Sequence, residues 1–187
     1  MPRAVVRPLA VIIWAILVAR PNLTEEDAAR HARALQLVAK THNFDPLTGV
    51  AIIQSESRFE ADAISPDGED YGLGQIRARY IGACKLDADP LANPSPACQD
   101  VKSSLLQPET NIQVMAELID QNRRFCKQKT GSALFHQWLA SYQGRNYPSK
   151  RRWCKPGDQT WVVIRYRQQL LKELGRAKIP KRRTASN

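Results

Sequence analysis

The stretch Asp45-Pro46-Leu47-Thr48-Gly49-Val50-Ala51-Ile52-Ile53-Gln54-Ser55-Glu56 decides the fold. Asp45 suits a helix N-cap, and Pro46 suits the first helical position, where its missing N–H costs nothing. Leu47, Val50, Ala51, Ile52 and Ile53 then cover nearly every side of the predicted helix. A helix apolar all round is a buried one, so this rod runs through the core of the domain. At its end stands Glu56, three and four residues after Ile53 and Ile52, hence on their face. A carboxyl among apolar groups loses hydration, which disfavours its ionised form and raises its pKa. A carboxyl that titrates near neutrality can serve as a general acid. The plainer reading is a Glu at a helix end that faces water or pairs with Arg58.

Outward from this helix the chain reads as mainly helical with little strand. Thr24-Glu25-Glu26-Asp27 has the form of a capping box, and Ala28, Ala32, Leu35 and Ala39 follow at helical spacing, so a helix is predicted over about 24–40. Downstream, Ser65-Pro66-Asp67-Gly68 is a turn signal. Gly72 and Gly74, two residues apart, permit the close backbone approach that a cleft wall needs. Residues 84–102 hold three prolines and two cysteines and read as a loop stapled by a disulfide. Three further helices are expected: one opened by Pro108, one carrying Phe135, Trp138 and Tyr142, and one begun by Asp158 and stopped near Gly175. Between the last two lies a basic, turn-rich loop that includes Tyr147 and Trp153. The reading is a single domain over residues 22–176, followed by a basic tail over 177–187.

The chain carries 28 Lys and Arg against 18 Asp and Glu, a net charge of +10. Such a surface favours polyanions in general and does not choose among them. The N-terminus narrows the field. Arg3 and Arg7 precede an apolar run over residues 8–19, the pattern of a secretory signal or an uncleaved N-terminal anchor in residues 1–21. That run is shorter than the ~20 apolar residues of a comfortable membrane span. Four cysteines, Cys84, Cys98, Cys126 and Cys154, all lie beyond it and fit an exported, oxidised domain, periplasmic or extracellular. Three pairings are open. Cys84 with Cys98 and Cys126 with Cys154 is favoured, because each pair closes one local segment. No CxxC unit is present, so a zinc site is not expected; no metal and no cofactor is assigned.

Five motifs in order carry a resemblance. Gln54-Ser55-Glu56-Ser57-Arg58-Phe59, Ala63-Ile64-Ser65-Pro66-Asp67-Gly68, Gly72-Leu73-Gly74-Gln75-Ile76, Pro108-Glu109-Thr110-Asn111-Ile112 and Ala140-Ser141-Tyr142-Gln143-Gly144 are similar to segments of the transglycosylase SLT family. The chain departs from that pattern at Gly74, where Met is usual, at Gln143, where Asn is usual, and in the extra residue of Glu69-Asp70-Tyr71. The resemblance implies a lysozyme-like fold with a substrate cleft and a lytic transglycosylase activity on peptidoglycan glycan strands. It makes Glu56 the catalytic acid and base, cleaving the β-1,4 bond between N-acetylmuramic acid and N-acetylglucosamine with formation of 1,6-anhydromuramic acid ends. It makes Tyr142 the group that hydrogen-bonds and orients that carboxyl, and gives Ser65 and Gln75 places facing the sugar or supporting the acid. Asn111 is expected to cap or brace its helix rather than touch substrate. Asp62, Asp67, Glu69 and Asp70 are read as a solvated polar loop. The alternatives are a hydrolytic muramidase similar to goose-type lysozyme, helped by an acid of that loop, and a non-catalytic glycan-binding module. The chain is read as a monomer whose cationic surface holds it near anionic wall polymers. Export and the ordered motifs argue against nucleic acid as the partner of the basic loop.

Overall fold

A computed structural model describes residues 6–176; the basic tail over 177–187 and residues 1–5 lie outside that range. The described residues contain seven α-helices, three short 3₁₀ helices and one two-stranded sheet, in the mainly helical, lysozyme-like arrangement expected. The helices are α1 (Leu9–Ala19), α2 (Glu25–Thr41), α3 (Pro46–Glu56), α4 (Pro96–Leu105), α5 (Pro108–Thr130), α6 (Phe135–Tyr142) and α7 (Asp158–Arg176). The strands β1 (Asp70–Tyr71) and β2 (Ile76–Arg77) pair antiparallel, Asp70 opposite Arg77 and Tyr71 opposite Ile76.

Helix α3 is the rod at the centre. Every residue from Pro46 to Ile53 is buried, and α1, α2 and α7 pack around it. Its start is fixed by Asp45, whose carboxylate accepts from the Leu47 backbone N–H at 3.1 Å. Two guanidiniums close on the same carboxylate, Arg7 at 2.9 Å and Arg167 at 3.0 Å, so the chain before α1 and helix α7 are both tied to the head of α3. These partners hold the Asp45 carboxyl below its ordinary range although burial, the largest influence, pushes the other way.

The apolar run near the N-terminus forms α1, a helix packed into the domain. Ile12, Ala15 and Ile16 are fully buried against α2 and α3. No helix among the described residues is long and apolar enough to cross a membrane. Both favoured disulfides are present, Cys84 to Cys98 and Cys126 to Cys154. The segment read as a loop over 84–102 holds helix α4 instead. Ser95 caps it by accepting from the Cys98 N–H at 3.2 Å, and Pro96 takes the first position, where proline is tolerated. One proline that reads as loop punctuation, Pro96, marks a helix start here.

One core group makes stability depend on pH. His31 on α2 is 2% exposed, stacks on Phe59, and finds no hydrogen-bond partner for either ring nitrogen among the described residues. Burial, helped by neighbouring Arg30 and opposed by Asp27 and Glu109, lowers its pKa from 6.5. The folded chain therefore keeps His31 neutral while the unfolded chain takes up a proton below that value. The stability this group contributes is complete above pH 6.5 and is lost as pH falls towards the depressed folded value. Thermal melts should show Tm falling between pH 7.5 and 5, with a smaller fall in His31→Leu; equal falls in both would contradict this.

Candidate active site

Local backbone geometry places Glu56. The N–H groups of Ser57 and Arg58 both bond to the Ile53 carbonyl, at 3.0 and 3.1 Å, which closes the helix just past Glu56. Arg58 and Phe59 then adopt left-handed conformations, with φ of 55° and 63°. Neither is glycine, and such residues cost about 1–2 kcal/mol each. The buried ring of Phe59, 3% exposed, holds the turn in place. The chain thus leaves α3 abruptly, and the Glu56 side chain projects from the end of a rigid buried rod.

It projects into a cleft of about 790 Å³. The β1–β2 hairpin supplies Asp70, Gln75 and Arg77 to one wall; Tyr142, Gln143 and Arg145 come from the end of α6 and the loop after it, and Gln159 from α7. The Glu56 carboxyl is raised from 4.5 to about 7. Burial is the largest cause and the negative charge of Asp70 adds to it, while a hydrogen bond from Gln143 works in the opposite direction. That bond runs from Gln143 Nε2 to Glu56 Oε1 at 3.3 Å. The amide is oriented from behind: Thr160 on α7, fully buried, donates its hydroxyl to Gln143 Oε1 at 2.9 Å, which leaves Nε2 facing the carboxyl.

The other expected site residues divide. Tyr142 lines the cleft, but its hydroxyl donates to the Gly74 carbonyl at 2.8 Å, and Gln143 makes the contact to Glu56 that the resemblance assigned to the phenol. The reason lies in the hairpin. Gly74 has no side chain, and a Cβ there would sit 2.9 Å from the Tyr142 hydroxyl, so the phenol reaches the wall carbonyl and spends its one proton there. Burial, then the charges of Glu56 and Asp70, raise the Tyr142 pKa well above the ordinary value. Gln75 also lines the cleft, with its amide donating to the carbonyls of Ala63 and Gly72 at 3.2 and 3.0 Å. Ser65 is not among the lining residues. Its hydroxyl bonds to Asp67 and accepts from the Asp70 N–H at 2.9 Å, so it shapes the turn below the hairpin.

Two residues carry more of the site than their sequence context suggests. Asn111 on α5 is 1% exposed and braces the hairpin: Oδ1 accepts from the Gly74 N–H at 2.7 Å, and Nδ2 donates to the carbonyls of Tyr71 and Leu105 at 2.8 and 2.6 Å. Gly72 lies against this amide with φ of 70°, where any side chain would collide with the Leu105 carbonyl and the Asn111 side chain. Asp70, read as part of a solvated loop, faces the cleft. Arg77 across the hairpin grips both its oxygens, Nε to Oδ1 at 2.9 Å and Nη2 to Oδ2 at 3.0 Å.

A rigid helix end thus presents a proton-holding carboxyl to a cleft of about 790 Å³ lined mostly by polar and charged side chains. The family model for the transglycosylase SLT domain matches residues 34–147, more than half of the chain, from within α2 to just past the end of α6. The chain belongs to the transglycosylase SLT family. Its membership carries glycan-cleaving activity of the lysozyme-like kind, with peptidoglycan strands as the substrate. No curated protein and no solved structure matched the chain. Glu56, Gln75, Tyr142 and Gln143 all fall within the matched SLT segment, whereas Thr160, which orients Gln143, lies beyond it.

Proposed function

We propose that the protein is a lytic transglycosylase with Glu56 as its catalytic acid and base. Protonated Glu56 donates to the oxygen of the β-1,4 bond between N-acetylmuramic acid and N-acetylglucosamine. The carboxylate left behind then takes the proton of the muramic acid's own C6 hydroxyl. The C6 oxygen attacks C1, the glycosidic bond having broken, and a 1,6-anhydromuramic acid end forms without water. Ser65, Gln75 and Tyr142 support the site indirectly, through the turn and wall they hold. The fit of the chain to an exported, peptidoglycan-directed role rests on its two disulfides, which suit an oxidising compartment.

The observation that carries this reading is the state of the second acid. Glycosidases that hydrolyse their substrate use two carboxylates, one of them free to activate water or attack the sugar. Asp70, the other acid lining the cleft, has both oxygens engaged by the Arg77 guanidinium. A substrate hydroxyl that replaces water removes the need for that second group. The hydrolytic muramidase remains the second reading because Asp70 does face the cleft. Mass spectrometry of muropeptides released from purified peptidoglycan separates the two: anhydro ends are expected, and reducing ends alone would mean hydrolysis.

The pH profile follows from the same carboxyl. Glu56 must carry a proton before it can donate one, and it loses that proton as pH rises through about 7. The rate constant kcat/KM should therefore fall on the alkaline side with a midpoint near neutrality. A profile flat from pH 6 to 9 would remove Glu56 from the proton transfer.

A further inference from the structure

Charge is distributed unevenly around the cleft. On the hairpin wall three acids face two cations, and both cations are paired: Arg77 with Asp67, Glu69 and Asp70, and Arg79 with Glu69. The opposite end is different. Residues 143–157 hold Arg145, Lys150, Arg151, Arg152 and Lys155 and no acidic residue. Four of these five cations are exposed on the outer loop, while Arg145 alone lines the cleft with Glu56. Its guanidinium meets no acceptor among the described residues. It lies against Gly157, where any Cβ would collide with the guanidinium, so that glycine makes room for the group.

The platform under Arg145 is stiff. Its backbone N–H bonds to the Ala140 carbonyl at 2.9 Å, and its carbonyl accepts from the Lys155 N–H at 3.3 Å. Asn146, the next residue, ties Ser141 to the Cys154 N–H at 2.9 and 3.0 Å, and Cys154 is bonded to Cys126 on α5. A planar guanidinium that lies in a groove on such a platform, with no ion pair among the described residues, can bind a carboxylate through two parallel hydrogen bonds.

We infer that Arg145 reads a carboxylate carried by the muramic acid units of the substrate, and so makes the cleft selective for anionic glycan over neutral glycan. The inference rests on the proposed peptidoglycan activity, where such carboxylates are plentiful: on the peptide stems, or on the lactyl group where a stem has been removed. The sugar backbone itself carries no charge. Discrimination must come from the side groups, and Arg145 is the one cleft-lining cation without an acidic partner among the described residues.

The test is calorimetric binding to the catalytically silenced Glu56→Gln protein, with and without Arg145→Gln or Arg145→Lys. Three ligands serve: a muropeptide tetrasaccharide with its stems, the same tetrasaccharide after amidase removal of the stems, and the neutral N-acetylglucosamine hexamer. Loss of a charge-assisted contact should weaken binding of a carboxylate-bearing ligand at least about tenfold in Arg145→Gln. Arg145→Lys should recover part of that loss, and binding of the neutral hexamer should stay unchanged. The arm that weakens tells whether stem or lactyl carboxylate is read. Equal weakening on all three ligands, or no weakening on either anionic one, overturns the inference while leaving the activity standing. Absence of binding to all three by the Glu56→Gln parent overturns the peptidoglycan reading itself, and the inference with it.

Discussion

Glu56→Gln should reduce turnover of peptidoglycan at least about a thousandfold, since general acid–base catalysis contributes ~10²–10⁴ and one group here supplies both halves. The substitution keeps the shape and the hydrogen-bonding reach of the side chain but removes its proton chemistry. The same variant should be more stable than wild type above pH 7. In the folded protein the carboxyl titrates near 7 against an ordinary 4.5, so in that pH range the unfolded chain releases a proton that the folded chain retains. Stability therefore declines as pH rises from about 4.5, and the decline is complete above about 7. At ~1.4 kcal/mol per tenfold change in the proton equilibrium, the penalty that the glutamine escapes is about 3 kcal/mol at most. A site that needs a destabilised group gains stability when it loses function. A dead variant with unchanged stability at pH 8 would separate catalysis from burial; an active variant would remove Glu56 from the mechanism.

Asn111→Ala should produce the largest loss of stability among single changes at the cleft. The substitution strands the Gly74 N–H and the carbonyls of Tyr71 and Leu105. A buried polar group left without its partner costs about 1–3 kcal/mol, and a water entering the small cavity can satisfy some of the three. A net loss of about 3–4 kcal/mol is expected, which for a domain of this size lowers Tm by roughly 6–16 °C. Activity should fall as well, because Gly74 receives the Tyr142 hydroxyl and Gln75 belongs to the same wall. The comparison is Gln113→Ala, two residues on and paired among the described residues only with Glu117 on the exposed face of α5, which should melt within a degree or two of wild type. Equal melts for the two variants would mean that the hairpin does not depend on the asparagine.

The fold was legible where short-range rules act. The caps at Thr24 and Asp45 and the periodicity of α2, α3 and α5 follow from local propensities, and both caps and all three helices appear in the structure. The all-round apolar sequence of α3 marked the buried rod, and the position of Glu56 on it marked the proton donor candidate. Helix α4 was hidden because three prolines and two cysteines look alike whether they punctuate a loop or open a helix; only the Ser95 cap distinguishes the cases. The apolar segment over residues 8–19 was legible as apolar but not as packed against α2 and α3, since hydropathy says nothing about what covers a face.

Within the cleft, single-residue chemistry was readable and pairing was not. The contact of Gln143 with Glu56 depends on a hydroxyl from α7, seventeen positions further along, and no local pattern links them. Tyr142 was readable as a cleft aromatic, yet the partner of its hydroxyl was decided by Gly74, whose missing side chain lets the phenol approach the backbone. Asp70 looked solvated because it lies in an acidic, turn-rich run. Strand register sets it opposite Arg77, and register depends on the turn that joins the strands.

Everything in this account depends on a carboxyl that keeps its proton near neutral pH before substrate arrives. The direct measurement is carbon NMR titration of side-chain carboxyls in the free protein, with Glu56→Gln used to assign the Glu56 signal. A midpoint of about 7 for that one signal is expected. A midpoint at the ordinary 4.5 would show a hydrated side chain, fully ionised at working pH and with no proton to give.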